Sequence, residues 1–250
     1  MSVMSVLTDR VLAPALPQET IRQHRAEIRA DVLRRSRYIK EPNFTAIHPS
    51  DVELLFDAYD HRFFAGCCKP ELKERPLRFG VSSRLTVSGG VTKRIRSRVS
   101  GDVRFEIVIA GGMLFDSFRD PAHRVTVCGL ECADRLEALQ RIFEHELIHL
   151  IEHLCWDSSN CARTRFQEIA TRVFLHREHT HNLLTRREMA AKAGIRRGSQ
   201  VSFEFDGRRL TGHVARITKR ATVLVPDPEG ARYTDGKNYR AYYVPINALR

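Results

Sequence analysis

Two histidines four residues apart, with a glutamate beside the first, stand in the string His145-Glu146-Leu147-Ile148-His149. On an α-helix, positions i and i+4 share a face with Cβ atoms about 5–6 Å apart, so both imidazoles can bind one Zn²⁺. Glu146 can then reach a metal-bound water as general base. Zinc lowers the pKa of that water toward ~7, and the carboxylate takes its proton as hydroxide attacks a carbonyl that the metal polarises. With 11 His and 17 Glu in 250 residues, chance yields roughly 0.03 strings of this form, before any demand for helical context.

A third protein ligand must come from elsewhere. A metzincin would need glycine at 152 and histidine at 155, where this chain has Glu152 and Cys155, so that class is excluded. His153 continues the i, i+4 series but lies ~12 Å along the helix axis from His145, which suits a solvent-facing or supporting group. Three candidates remain: Cys161 in the polar loop that follows, Glu168 after 18 intervening residues, which is the spacing of the gluzincin aminopeptidases, and His176.

The elements that must position these residues are legible from periodicity. Leu136, Leu139, Phe143, Leu147, Leu150 and Leu154 recur at helical spacing behind the cap pair Asp134 and Glu137, and the stripe of Phe143, Leu147 and Leu150 is offset from the His145/His149 face. The polar loop WDSSNCART breaks this helix before a second, from about Phe166 to Leu175, and a third from about His181 to Ala193. Upstream, PSDVELLFDAYDHRFFAG reads as a helix to Gly66 with Ser50 and Glu53 as a capping box. LRFGVSSRLTVSGGVTKRI and DVRFEIVIAGG then read as three or so strands, followed by the short loop CGLEC. Residues 1 to about 48 form a basic leader in which Ile21, Ile28 and Leu33 sit among arginines, read as one solvated amphipathic helix.

FEHELIHLIEH, preceded by FDAYDHRFF, SSRLTVSGGVTKR and CGLECADRLEALQ, resembles the SprT-like zinc metalloproteases, the group that includes the DNA-dependent protease Spartan. The resemblance covers about residues 50 to 185 and follows the family's order of first helix, hairpin, strand and metal helix. It implies a minimal zincin: a small sheet, the metal helix, and a third ligand from the stretch beyond. The family's usual histidine, four residues ahead of a phenylalanine, would fall on Ala162 if the phenylalanine is Phe166. Its neighbour Cys161 is a competent zinc ligand and is the expected third one, ahead of Glu168 and His176. A thiolate leaves zinc less electrophilic than a third imidazole does, so peptidase activity follows less directly than zinc binding. The histidines of LHREHTHNLLT, which are His176, His179 and His181, receive no role and read as capping or surface groups.

From Arg196 to Arg250 the pattern changes. Val201, Phe203 and Phe205 alternate, Asp206-Gly207 signals a hairpin, and ATVLV and YYVPI supply further strands. This segment holds 11 Lys+Arg and 5 Asp+Glu, so 11 − 5 = +6 of the chain's net +11 lies in 55 residues, together with six aromatics. Basic and aromatic side chains on short strands suit phosphate pairing and base stacking, and GHVARITKRA is similar to the turn of KOW-type SH3-like barrels. Arg216, Lys219, Arg220, Lys237 and Arg240 are the candidate nucleic-acid contacts.

The expected fold class is thus α+β: leader 1–48, SprT-like zincin domain 49–193, and a small all-β barrel at 196–250. The expected function is a zinc-dependent metallopeptidase acting on protein at or near DNA or RNA, with Zn²⁺ as cofactor. The alternatives are a nucleic-acid-binding protein with a structural or vestigial zinc and no hydrolytic turnover, or a metallohydrolase acting on a non-peptide bond. No stretch approaches the ~20 uninterrupted apolar residues of a spanning helix. Asp9 and Arg10 interrupt the apolar N-terminus, and Glu19, Glu27 and Asp31 lie within the basic stretch, so neither a secretory signal nor a transit peptide is expected. Six cysteines without a C-x-x-C pair suggest a reducing, cytoplasmic setting.

Overall fold

The alternating segments LRFGV, GVTKRIR and VRFEIVI form β1 (Leu77–Val81), β2 (Gly90–Arg96) and β3 (Val103–Ile109) in the computed structural model of the chain. Described are residues 5–120, 122–185, 188, 190, 191, 194–218 and 220–250, the side chain of Asn247 excepted. The order is β1-β3-β2, with β1 parallel and β2 antiparallel to β3, so β2 is an edge strand. The architecture is mixed α+β, in two units spanning Met1–Leu183 and Leu184–Arg250, each with its own apolar core. No helix among the described residues is long and apolar enough to cross a membrane.

In the first unit, the helices are α1 (Val6–Leu12), α2 (Gln18–Arg35), α3 (Pro49–Phe64), the single turn α4 (Cys68–Glu71), α5 (Gly111–Ser117), α6 (Arg135–Trp156) and α7 (Thr164–Phe174). Proline at the first position of α3 fixes a helical φ, and its cap is His48, not Ser50 as expected. The His48 Nδ1 accepts from the Ser50 N–H, and Asp51, three residues on, accepts from the His48 N–H at 2.8 Å.

The leader departs furthest from expectation. Far from being a solvated basic arm, α2 buries Ile21, Ile28 and Val32 in the core that α3 and α6 share, and Arg25 goes in with them. Arg25 is admitted because its guanidinium meets the fully buried Glu144 of α6 in two parallel bonds of 2.7 Å, and it also donates to the Phe174 carbonyl. Tyr59 of α3 (2.7 Å), Arg141 (2.9 Å) and His176 (2.9 Å) complete the ring of donors around that carboxylate. Together they hold Glu144 far below its usual titration range despite burial.

CGLEC is a hairpin, not a loop. β4 (Thr126–Val127) and β5 (Leu130–Glu131) flank Cys128 and Gly129, both at positive φ, as a tight two-residue turn demands. The third expected helix does not begin at His181. That residue instead bridges Val127, and Cys128 N–H to Thr180 and Asn182 N–H to Thr126 carbonyl bonds hold the segment extended beside the hairpin. Residues 186, 187, 189, 192 and 193 of the expected helix lie outside the described residues.

The second unit is a four-stranded antiparallel sheet in the order β6 (Gln200–Phe205), β7 (Arg208–Ile217), β8 (Ala221–Arg232), β9 (Asn238–Val244). The Asp206-Gly207 turn has both residues at positive φ. Val201, Phe203, Val214, Val223 and Val244 form its core, and the C-terminal Arg250 exchanges two backbone bonds with Ser202 of β6.

Candidate metal centre

The site is set by where α6 begins. Asp134 accepts the Leu136 and Glu137 N–H groups at 3.0 Å each, and Glu137 reaches back to the Ala133 N–H at 2.9 Å. Arg29 of α2 grips the outer side of the same Asp134 carboxylate at 2.8 and 2.7 Å. From this start, Phe143, Leu147 and Leu150 enter the core and His145 and His149 look into a cleft of about 490 Å³.

In that cleft the two Nε2 atoms lie 3.2 Å apart. With the Cys161 Sγ they form a trio whose ligand atoms are all within 4.8 Å of one another. A tetrahedral zinc with bonds of ~2.05 Å to nitrogen and ~2.3 Å to sulfur has ligand–ligand edges of about 3.3–3.6 Å. The nitrogen pair already stands at that spacing, and two imidazoles with one thiol are a donor set that suits zinc. Burial, reinforced for His145 by the neighbouring His149, lowers the two imidazoles to about 3 and about 4, so both are neutral ligands at ordinary pH. Burial also raises the Cys161 thiol, which must lose its proton when it ligates. Phe166 of α7, fully buried, packs its ring against both histidines, 4.8 and 4.6 Å between centroids.

Glu146 lies beside them against the edge strand. Thr92 of β2 has its hydroxyl 2.8 Å from both the Glu146 carbonyl and its Oε2, and burial pushes the carboxyl up to about 7. Gly90 is what lets the carboxylate lie there: a Cβ at that position would stand 2.7 Å from the Glu146 Cγ and 2.9 Å from its Oε1. A carboxyl balanced near neutrality in a cleft suits proton transfer.

Of the three candidate third ligands, the fold brings Cys161 to the histidines and leaves the others apart. Glu168 is exposed on α7, and His176 is spent on Glu144. Among the described residues this is the one His/Cys/Asp/Glu group compact enough for a metal. His153 is half-buried, stacked on Phe105 (6.1 Å), and lines the same cleft. Sequence reasoning missed His179 and His181, which line the cleft, the latter accepting the Gly89 N–H at 2.8 Å. It also missed Thr92, Gly90, Glu152 and Ser159. Only Glu152 left a signal, three residues beyond His149 on the same helix.

The basic residues of the second unit do not form one cluster. Arg216 and Arg220 are exposed near the β7–β8 turn and Lys219 lies outside the described residues, whereas Lys237 precedes β9 at the opposite end, six positions from the Tyr243 that shares a row with Arg216, or about 20 Å at ~3.4 Å each. Arg240 is engaged with Asp227 at 2.8 Å.

No known family model matches the chain, and no curated protein or solved structure matches it either.

Proposed function

We propose that the chain is a zinc-dependent peptidase of the SprT-like kind, a minimal zincin followed by a small SH3-like barrel, acting on proteins at or near nucleic acid. The observation that carries this reading is the meeting, in one cleft, of the His145 and His149 Nε2 pair at 3.2 Å, the Cys161 thiol and the buried Glu146. His145, His149 and Cys161 would hold the metal. Bound zinc supplies a Lewis acid that polarises the scissile carbonyl and acidifies the attacking water. Glu146, buried in the cleft beside the two histidines, would take the proton of that water on its carboxylate and return it to the leaving amine. Thr92 holds the carboxylate on the cleft side of β2. Three protein donors, the number the described residues bring together, would suit a catalytic site better than a closed structural one of four. The concentration of positive charge in the second unit, with Arg216 and Arg220 exposed, supports a polyanionic partner.

The test measures zinc by elemental analysis and cleavage of a protein substrate, with and without DNA or RNA. The expected result is about one zinc per chain and cleavage, both lost in the His145→Ala, His149→Ala double variant. Full metal content in that variant removes the site. Zinc without cleavage under any condition leaves a nucleic-acid-binding protein with a non-hydrolytic metal.

A further inference from the structure

We infer that Glu152 is a positioning residue for the metal site: its one carboxylate sets the proton of His149 on Nδ1 and fastens the loop that carries Cys161. The inference rests on the zinc reading for its purpose and on hydrogen-bond bookkeeping for its content. Glu152 is 1% exposed and sits one turn beyond His149 on α6. Its Oε2 accepts the Ser159 hydroxyl at 2.6 Å and the Asn160 N–H at 3.3 Å, and its Oε1 accepts the Arg165 Nε at 2.6 Å. The Ser159 Oγ also lies 2.6 Å from the His149 Nδ1.

A hydroxyl has one proton, and a carboxylate can only accept. Ser159 therefore gives its proton to Glu152, so in the short contact with His149 the imidazole must be the donor. That places the hydrogen on Nδ1 and leaves the Nε2 lone pair facing the His145 Nε2 and Cys161, as a metal requires. The tautomer is chosen before any ion arrives.

The second task concerns the loop. α6 ends at Asp157 in a left-handed turn, and from there to Cys161 the chain runs Asp-Ser-Ser-Asn, with no apolar side chain to pack. Polar contacts replace packing. Ser159 and Asn160 are tied to Glu152, while Arg165 donates to the Ser158 carbonyl at 2.8 Å and lies 4.7 Å over the Trp156 ring. Cys161 is the next residue, and its approach to the histidines depends on this fold of the loop.

Glu152→Gln has a specific consequence. Arg165 needs an acceptor, so the amide oxygen must face Arg165 and the NH₂ must face Ser159. The amide then donates to Ser159, Ser159 donates to the His149 Nδ1, and the imidazole proton moves to Nε2, where it blocks the metal. Imidazole ¹⁵N NMR of the metal-free protein reads this directly. The wild type should show His149 protonated at Nδ1, Glu152→Gln at Nε2, and Ser159→Ala, a milder change in a partly exposed side chain, a mixture. Zinc affinity, measured by competition with a chelator, should fall about 10–100-fold in both variants. Unchanged tautomer and affinity in Ser159→Ala and Glu152→Gln overturn the inference. The tautomer result stands without zinc, so a wild type that binds no metal would count against the peptidase proposal alone.

Discussion

At the scale of single residues, Glu146 is held in conflict with its own stability. Its ordinary value is 4.5 and burial raises it to about 7, so the folded state favours the protonated form. That contribution is fully present below pH 4.5 and is lost as pH rises through 7, where ionising the buried group costs about 3 kcal/mol at 1.36 kcal/mol per pH unit. The metal-free Glu146→Gln variant should thus be more stable than the wild type at pH 8 by up to about that amount in denaturant titrations, and equal to it near pH 4. It should bind zinc yet cleave protein several orders of magnitude more slowly. The imidazoles oppose this trend. His145 and His149 are lowered from 6.5 to about 3 and about 4, so their contribution is present above pH 6.5 and lost as pH falls through those values. The H-E-x-x-H string announced these three residues because their chemistry depends on local helical spacing. Thr92 and Gly90 announced nothing, since their role depends on a strand that α6 meets only in the folded chain.

At the scale of elements, the contact between β2 and α6 decides whether the carboxylate is available. Gly90→Ala drives a methyl group to within 2.7 Å of the Glu146 side chain, so it should reduce cleavage while zinc content stays at the wild-type level. Loss of zinc together with activity would show that the strand supports the whole site. α2 bears on the same helix from the other side. Truncating Arg25 to Ala leaves Glu144 buried with one charge partner fewer, and the expected loss of stability is about 3–5 kcal/mol, measurable by urea unfolding. The helix itself was legible, but its burial was not. An arginine-rich segment reads as solvated until its partner is known, and here the partner lies 119 residues away.

At the scale of the molecule, the two cores share no residue, so a chain ending at Leu183 should fold and bind zinc while losing most nucleic-acid affinity. Because Arg216 and Arg220 stand at one end of the second sheet and Lys237 at the other, a short nucleic acid should not engage both groups equally. Reversing the charge of Arg216 and Arg220 should flatten the dependence of log affinity on log salt by about 1.4–1.8, from 0.7–0.9 per phosphate contact. Lys237→Glu should change it little. The strands of this unit were readable from alternation and from Asp206-Gly207, whereas the separation of its basic residues depends on register, which alternation alone does not give. The ring of donors around Glu144 also has a consequence in time. Arg25 and His176 are separated by 151 positions, which a ribosome adding ~5–20 residues per second covers in roughly 8–30 s. Cys161, the last of the three candidate ligands, precedes His176 by 15 positions, so during synthesis the proposed metal residues are made before the last group that closes over Glu144, while that carboxylate is still incompletely enclosed.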